Sequence, residues 1–457
     1  MATSTGMVHI PSLPLPPGPK GNFLLGTLLE AWADPLRMMT DGVREFGEIV
    51  GFRFAYMRYV VVADPEGIKH VLVGNHRNYT KSVNYAGLKV ILGNGLLTAE
   101  GEPWRKQRKL TQPAFHRERL SGFADTMAEC TRDMLDRWDR REDDGTVDAH
   151  EEMMRLTFRI VGRTLLSAEL DGEAKAIGEA MGIGIKWAND YVESVVRLPP
   201  WVPTPNNIRF NRAKRTIDEL MDRIISERRS STERRDDLLG MLMEMKDEET
   251  GEGMSDKQLR DELLTLVLAG HETTANALSF ALHVLSQHPD VLLALRREAD
   301  EVLAGRMPTL ADVPRLTYTG QVIEEVMRLY PPAWALERQA IEDDVINGYR
   351  IPKGAVIGIA PWVTHRLPRL WPNPEGFDPS RFTKEAKEAR HKHAYLPFGG
   401  GPRTCIGNAF AMMELQIVLP MIIQRYRLDL VPGFRMELEP TITLRPKKGV
   451  PMHLHRV

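Results

Sequence analysis

The chain has few cysteines and almost no net charge. Two cysteines, Cys130 and Cys405, occur in 457 residues, too few to stabilise a fold of this length through disulfides. There are 60 basic residues against 62 acidic ones, so the formal charge is −2 and no net basicity indicates a nucleic-acid partner. With 42% hydrophobic and 27% charged residues, the composition is that of a globular protein.

Long apolar stretches are also missing. The longest runs, such as residues 263–269, fall far short of the roughly 20 residues that cross a bilayer. The N-terminus shows no basic start followed by an apolar stretch, which is the pattern of a secretory signal. We therefore expect a cytoplasmic protein without a membrane span.

The apolar pattern predicts a mainly helical fold with small sheets. Residues 1–20 are polar and then proline-rich, which predicts an extended arm before a single domain of residues 21–457. Residues 48–62 are rich in β-formers and predict a hairpin, and residues 441–455 predict another. A charge-rich stretch, residues 228–237, predicts a solvated loop.

One predicted helix is unusually long. Ser255 followed by Gln258 forms a capping box, and the helical pattern behind it meets no proline until Pro289. At about 1.5 Å per residue, this helix can extend roughly 45 Å. Gly270 in its middle costs about 1 kcal/mol relative to alanine, so it indicates close approach of a ligand or a local distortion.

An acid and a hydroxyl follow that glycine in an otherwise apolar segment, Glu272 and Thr273. Taken alone, the pair predicts a threonine that bends the helix by bonding to the carbonyl one turn earlier.

The most informative segment is residues 398–407, FGGGPRTCIG. Its three glycines let the backbone turn tightly. Cys405 then stands at the start of an apolar helical pattern, where backbone N–H groups and the helix dipole favour a thiolate, and Arg403 adds positive charge. The alternative is a buried structural cysteine beside a glycine-rich turn.

This segment resembles the haem-binding loop of the cytochrome P-450 family, F-x-x-G-x-R-x-C-x-G, with every fixed position present. The resemblance implies a single large P-450-type fold, mainly α with small β-sheets, that encloses one haem b (iron protoporphyrin IX). It implies that the thiolate of Cys405 is the axial ligand of the iron. Phe398 would pack beside the sulfur, and Arg403 would pair with a haem propionate.

Further motifs stand in the family's order. The resemblance assigns Glu272 and Thr273 to proton supply during oxygen activation, with Thr273 nearest the oxygen. Trp104 and Arg108, four residues apart on one helix face, would hold a propionate. Arg338 matches a strand arginine that contacts the same propionates.

Glu325 and Arg328 lie three residues apart on one predicted helix face. Alone they predict a surface ion pair that contributes about 0–1 kcal/mol. The resemblance joins Arg381 to them as a buried structural triad, in which an arginine fork holds the carboxylate bidentately. Its role would be to maintain the fold and retain the haem.

The implied activity is that of a haem-thiolate monooxygenase. Such an enzyme inserts one atom of O₂ into a C–H bond or across a C=C bond and reduces the other atom to water. The candidate substrate contacts are nearly all apolar: Leu97, Ala269, Thr273, Ala333, Trp334 and Leu336. We expect a hydrophobic small molecule, such as a fatty acid or a terpenoid. The alternatives are a peroxygenase or isomerase of the same family and a non-catalytic haem gas sensor, and the acid–alcohol pair argues against both.

A local excess of positive charge lies between Arg105 and Arg119, with six basic residues and one acidic one. It is either a solvated face or a docking patch for an acidic electron carrier, with Lys106, Lys109, Arg117 and Arg119 expected to carry the docking. Because no reductase motif is seen, electrons are expected from a ferredoxin or flavodoxin with its NAD(P)H reductase.

Overall fold

The computed structural model describes residues 10–115, 117–141, 145–168, 174–194, 196–231, 237–246 and 251–457. This part of the chain is mainly helical with small sheets, as predicted. None of the helices within these ranges is both long and apolar enough to cross a membrane.

The α-helices are α1 Leu28–Ala33, α2 Pro35–Phe46, α3 Pro65–Lys69, α4 Tyr85–Leu92, α5 Gly101–Thr111, α6 Arg117–Asp139, α7 Ala149–Leu166, α8 Ala174–Glu193, α9 Pro205–Ser230, α10 Leu238–Glu244, α11 Asp256–Leu285, α12 Pro289–Leu303, α13 Thr317–Leu329, α14 Pro361–Thr364, α15 Lys384–Ala389 and α16 Asn408–Arg425. The strands are β1 Ile49–Phe54, β2 Met57–Val62, β3 Tyr79–Thr80, β4 Thr146–Asp148, β5 Leu336–Ala340, β6 Asp344–Ile346, β7 Tyr349–Ile351, β8 Val356–Ile359, β9 Tyr426–Leu430, β10 Leu438–Pro440, β11 Leu444–Pro446 and β12 Pro451–Arg456.

The chain forms two compact units. The first contains the described residues up to Asn84, together with residues 333–376 and 387–405. Its main sheet has five strands in the order β1-β2-β8-β5-β3, and β1 and β2 form an antiparallel hairpin from Ile49 opposite Val62. The hairpin predicted over residues 48–62 is therefore confirmed.

The proline-rich arm belongs to this first unit. A short 3₁₀ turn, Ile10–Ser12, precedes its extended part. Pro17 accepts a backbone hydrogen bond from Gly51 at 2.8 Å, and Pro14 accepts one from Arg350 at 2.9 Å. The arm thus joins the edges of the strands, while residues 1–9 lie outside the described part of the chain.

The second unit contains the described parts of residues 85–332, 377–386 and 406–457, and α11 lies in its core. The N-cap is Ser255, whose Oγ accepts a hydrogen bond from the Gln258 backbone N–H at 3.3 Å, so the predicted capping box start is confirmed. Helices α7, α9, α13 and α16 pack against α11. Most residues of α11 are buried, which explains why the pattern shows a weak polar face.

Two predictions are wrong. Residues 441–455 do not form a hairpin: β11 pairs with β10, whereas β12 pairs with β4 and β9. Residues 228–237 are not simply a solvated loop, because Arg228 donates to both carboxylate oxygens of Asp237 at 2.6 and 2.5 Å. These side chains are only 9% and 3% exposed, and a bidentate pair can be buried where a lone charge cannot. Residues 232–236 lie outside the described part.

Candidate functional site

A tight loop presents Cys405 in the first unit. The Cys405 backbone N–H donates to the carbonyl of Phe398 at 3.0 Å and so closes residues 398–405, which we call the glycine loop. Gly399 and Gly401 have φ values of +68° and +67°, which favour glycine. A Cβ at Gly401 would lie 1.9 Å from the Leu72 carbonyl oxygen. The loop therefore requires its glycines, and it leaves the Cys405 side chain exposed.

The cysteine lies slightly further from the following helix than the sequence suggests. Helix α16 begins at Asn408 with Gly407 as its N-cap, so Cys405 precedes the cap by two residues. Phe398 and Arg403 are each half-buried.

The two cysteines differ sharply in environment. Cys130 is buried on α6, and its burial raises the pKa of the thiol to about 11. Cys405 is exposed. Since the thiolate is the metal-binding form, the buried Cys130 is poorly suited to bind a metal.

Strand β5 brings a candidate substrate contact to the glycine loop. Leu336 and Arg338 are two residues apart and so lie on one face of the strand. The Leu336 Cδ1 lies 3.4 Å from the position of a Cβ at Gly399. Arg338 is buried and donates to the carbonyl of Glu337 at 2.7 Å.

The other candidates before β5 are less distinctive. Ala333 and Trp334 are half-buried. Trp334 packs against a hydrophobic cluster that includes Val363 and Leu367, and its carbonyl accepts a hydrogen bond from the Trp362 N–H at 3.2 Å. This packing favours a structural role for Trp334.

The middle of α11 contains a short stretch that is more exposed than the rest of the helix. Ala269 is exposed and Gly270 and Thr273 are half-buried, although most of the helix is buried. A Cβ at Gly270 would lie 3.2 Å from Val161 Cγ2 on α7. Gly270 therefore permits close packing of α7 against α11, while the side chain of Ala269 is exposed.

The acid and hydroxyl on α11 have separate partners. The Thr273 hydroxyl donates to the Ala269 carbonyl at 2.6 Å, which is the helix-internal bond of the alternative interpretation. Glu272 is buried, and its Oε1 accepts a hydrogen bond from the Thr443 hydroxyl at 2.7 Å. Burial raises the pKa of the Glu272 carboxyl. The structure therefore does not pair Glu272 with Thr273, in keeping with adjacent helical side chains pointing apart.

Another buried carboxyl, Glu414, lies within the apolar pattern of α16 and was not predicted from the sequence. It is completely buried, and burial raises the pKa of this carboxyl well above its ordinary value, opposed by the nearby Thr274 hydroxyl. Neither carboxyl oxygen has a well-formed hydrogen bond within the described residues. An acidic residue inside an apolar helical pattern is the signal that could have revealed it.

The predicted residues of α5 and the segment before it lie in the second unit. Trp104 and Arg108 are half-buried on one face of α5, and Lys109 is exposed. Leu97 is half-buried between buried neighbours. The side chains of Arg117 and Arg119 lie outside the described part.

The structure brings the predicted triad together, also in the second unit. Arg328 donates to both oxygens of Glu325 at 2.7 and 2.8 Å, and both side chains are completely buried. The backbone N–H of Asp378 donates to Glu325 at 2.9 Å, and Arg381 Nε lies 3.4 Å from the same carboxylate. This is a buried ion cluster and not a surface pair.

Comparison with known proteins shows the family of this chain. The family model for cytochrome P450 matches residues 16–451. Cyclooctatin synthase of Streptomyces melanosporofaciens is 36% identical over 438 residues, covering 95% of this chain and 94% of that protein. Pentalenene oxygenase of Streptomyces avermitilis is 33% identical over 404 residues, covering 87% of this chain and 88% of that protein. A retinoic acid-bound cyanobacterial CYP120A1 structure matches with a TM-score of 0.88 and 27% identity, covering 98% of this chain and 100% of that one.

The described residues of the first unit fit a haem: an exposed thiol ends the glycine loop, and the positive φ values of Gly399 and Gly401 let the backbone approach a flat group. The chain belongs to the cytochrome P450 family, and it is a monooxygenase that binds haem through a cysteine thiolate.

The buried triad predicts a large loss of stability when its acid is removed. Glu325→Ala leaves Arg328 buried without its carboxylate, so the free energy of unfolding should fall by about 3–5 kcal/mol. The measurement is urea unfolding of the haem-loaded protein. Glu102→Ala breaks the exposed pair with Arg105 and is the control, with little change expected. Equal unfolding midpoints for the two variants would show that the triad contributes no more than a surface pair.

Proposed function

We propose that Cys405 is the thiolate ligand of the haem iron. The observation that carries this assignment is the contrast between the exposed Cys405 thiol and the buried Cys130 thiol, whose pKa rises to about 11. Only a thiolate binds the iron, and burial among apolar groups disfavours that form at Cys130. The glycine loop supports the assignment, because its positive-φ glycines let the backbone pass close to a flat group.

The remaining haem contacts in this proposal are polar or cationic. Trp104 and Arg108 on α5, Arg338 on β5 and Arg403 in the glycine loop hold the propionates. Arginine suits this role because its fork matches a carboxylate. Phe398, whose carbonyl accepts the hydrogen bond from Cys405, packs beside the sulfur.

The proposed substrate is a hydrophobic small molecule, with a terpenoid favoured over a fatty acid. Two relatives are named for cyclooctatin and pentalenene, and the matching structure for bound retinoic acid. Leu97, Ala269, Ala333 and Leu336 offer only apolar contacts, together with the methyl group of Thr273. Such a lining binds by burial of apolar area, which accommodates fused rings or an isoprenoid chain.

The bound haem supplies the activation of O₂ and the transfer of one oxygen atom, in a hydroxylation or an epoxidation. The chain's own residues supply protons. Thr273 holds its hydroxyl proton on the Ala269 carbonyl, and rotation about its side-chain bond turns that proton toward the exposed side of α11. The raised pKa of Glu272 favours a protonated carboxyl. Because this carboxyl bonds to Thr443 and not to Thr273, we propose that its proton reaches Thr273 through water. This acid–alcohol pair supports O₂-dependent turnover over peroxygenase, isomerase or gas-sensing roles.

Electrons come, in this proposal, from a separate acidic protein such as a ferredoxin or a flavodoxin with its NAD(P)H reductase. Lys106 and the exposed Lys109 contribute to a basic segment in a chain whose formal charge is only −2. Opposite charge raises the rate of encounter, and salt weakens the effect once the Debye length falls to about 8 Å.

Cys405→Ser should abolish the spectroscopic signature of the thiolate. Carbon monoxide added to the reduced parent should give a strongly red-shifted Soret band, because the thiolate donates electron density to the iron. The matched control is Cys130→Ala, which should keep that band since a buried cysteine acts as a small apolar side chain. An unchanged band in Cys405→Ser would overturn the assignment.

Thr273→Ala should bind haem and substrate but should be uncoupled, so that fewer of the electrons from NADPH lead to product. Loss of the positioned hydroxyl should slow product formation by about 10²-fold or more, while NADPH oxidation continues and peroxide accumulates. The quantity to measure is product formed per NADPH oxidised, with Thr273→Ser as the control that keeps a hydroxyl. Equal coupling in the alanine variant and the parent would count against a role for Thr273.

Charge reversal of Lys106 and Lys109 to Glu should slow reduction by an acidic ferredoxin at low salt. The control reverses Lys186 and Lys353, two exposed lysines elsewhere, and so makes the same change in net charge. The rate of reduction by ferredoxin is measured by stopped flow at several salt concentrations. Haem content and substrate-induced spectra should stay as in the parent. If both double variants show the parent's rate and salt dependence, the segment is only a solvated face.

A further inference from the structure

Two adjacent carboxylates are buried on α11 before the stretch that contains Ala269 and Thr273. Asp261 and Glu262 are 2% and 0% exposed. Glu262 precedes Ala269 by two turns of helix, about 10 Å. Buried carboxylates are costly unless they accept hydrogen bonds, so their partners show what this pair does.

Both carboxylates accept backbone N–H groups from one short segment, residues 93–98, which we call the clamp segment. The Asn94 N–H donates to Asp261 Oδ2 at 2.9 Å, and the Leu96 N–H donates to Glu262 Oε2 at 3.0 Å. The clamp segment connects α4 to α5 and contains Leu97, a proposed substrate contact. The peptide groups that join Gly93 to Asn94 and Gly95 to Leu96 are thus held on the long helix.

The contact is also close in space. Gly93 has a φ of +61°, and a Cβ there would lie 2.3 Å from the Asp261 carboxylate. A Cβ at Gly95 would lie 2.0 Å from the Thr265 hydroxyl oxygen. Because both glycines lie directly against α11, the segment cannot accept larger residues there without moving away from the helix.

The clamp segment is connected to α5 as well. The Gln107 side-chain amide donates to the Asn94 carbonyl at 2.7 Å. Gln107 is buried, and in sequence it stands between the proposed haem contacts Trp104 and Arg108. Within the segment, the Thr98 hydroxyl donates to the Gly93 carbonyl at 2.7 Å. The segment is therefore held at its start, its middle and its end.

The two acids are held differently. Asp261 lies 3.3 Å from Lys257 and 3.5 Å from Arg260. Glu262 accepts the Leu96 N–H through one oxygen, and its other oxygen has no hydrogen bond within the described residues. The bond from Leu96 is thus the hydrogen bond that offsets the cost of burying Glu262.

We propose that Asp261 and Glu262 are positioning residues for the substrate: they fix the clamp segment on α11 so that Leu97 has a single placement. This inference rests on the proposed function, because it takes Leu97 as a substrate contact. In this proposal the pair acts through the backbone N–H groups of Asn94 and Leu96.

The test replaces Glu262 with Leu, which has a similar volume and cannot accept the Leu96 N–H. Hydrogen exchange of the haem-loaded protein should become faster in residues 93–98. Glu262→Gln, which keeps an acceptor oxygen, should restore most of the protection. Asp256→Asn, an exposed acid on the same helix, is the matched control and should exchange as the parent does.

Retinoic acid and dodecanoic acid are the substrate probes, followed by the substrate-induced spectral shift and by product analysis. Loss of the acceptor should weaken binding by about ten-fold and broaden the product distribution. Restoration by Glu262→Gln distinguishes positioning from a general loss of structure. The carbon monoxide band should remain as in the parent in all three variants, so failure of this inference and failure of the Cys405 assignment are separable.

The inference is overturned if Glu262→Leu exchanges as the parent does, or if exchange rises while affinity and product ratio stay unchanged for both probes. If Glu262→Leu does not retain haem, Gly95→Ala displaces the segment without altering a carboxylate and should produce the same changes. In the parent itself, the Asn94 and Leu96 amides should be protected from exchange, and rapid exchange there would overturn the inference without any variant.

Discussion

The polar groups buried along α11 are the constraint on which the second unit depends. The backbone N–H and C=O groups of a long helix form hydrogen bonds with one another, but its buried polar side chains need partners from other segments. Glu262 takes the Leu96 N–H, His271 contacts the Met154 carbonyl at 3.0 Å, and Glu272 takes the Thr443 hydroxyl. Each bond ties α11 to a different part of the chain, so the helix orders its surroundings through specific contacts and not only through apolar packing.

Burial also sets the charge of this helix interior. The pKa of His271 is lowered to about 4 and that of Glu262 is raised to about 7, in both cases mainly by burial. The Glu272 pKa is raised for the same reason. All three shifts favour the neutral form, so burial reduces the charge on these side chains relative to their exposed forms.

Features with local signatures could be predicted from the sequence, and features that depend on distant pairing could not. The α11 N-terminus has a capping box that begins at Ser255, and the glycine loop has a fixed spacing of its glycines and its cysteine. Both features can therefore be recognised from a few neighbouring residues. The strand pairing of β12 with β4 joins segments about 300 residues apart, and no local pattern encodes it. The same holds for the buried pair of Arg228 and Asp237, whose charges alone indicate solvent exposure.

The acid–alcohol motif shows the same limit at the site itself. Its residues could be identified from the sequence, but the partners that decide their orientation, Ala269 for the hydroxyl and Thr443 for the carboxyl, depend on the folded chain. Likewise, the sequence indicated Leu97 as a contact but gave no sign that Asp261 and Glu262 hold its neighbours.

In the proposed site the sulfur of Cys405 binds the haem iron, and X-ray absorption at the iron edge tests this assignment most directly. The sample is the haem-loaded Cys130→Ala variant, in which Cys405 is the only cysteine. The account predicts one sulfur atom in the first coordination sphere of the iron. A first sphere made only of nitrogen and oxygen would contradict it.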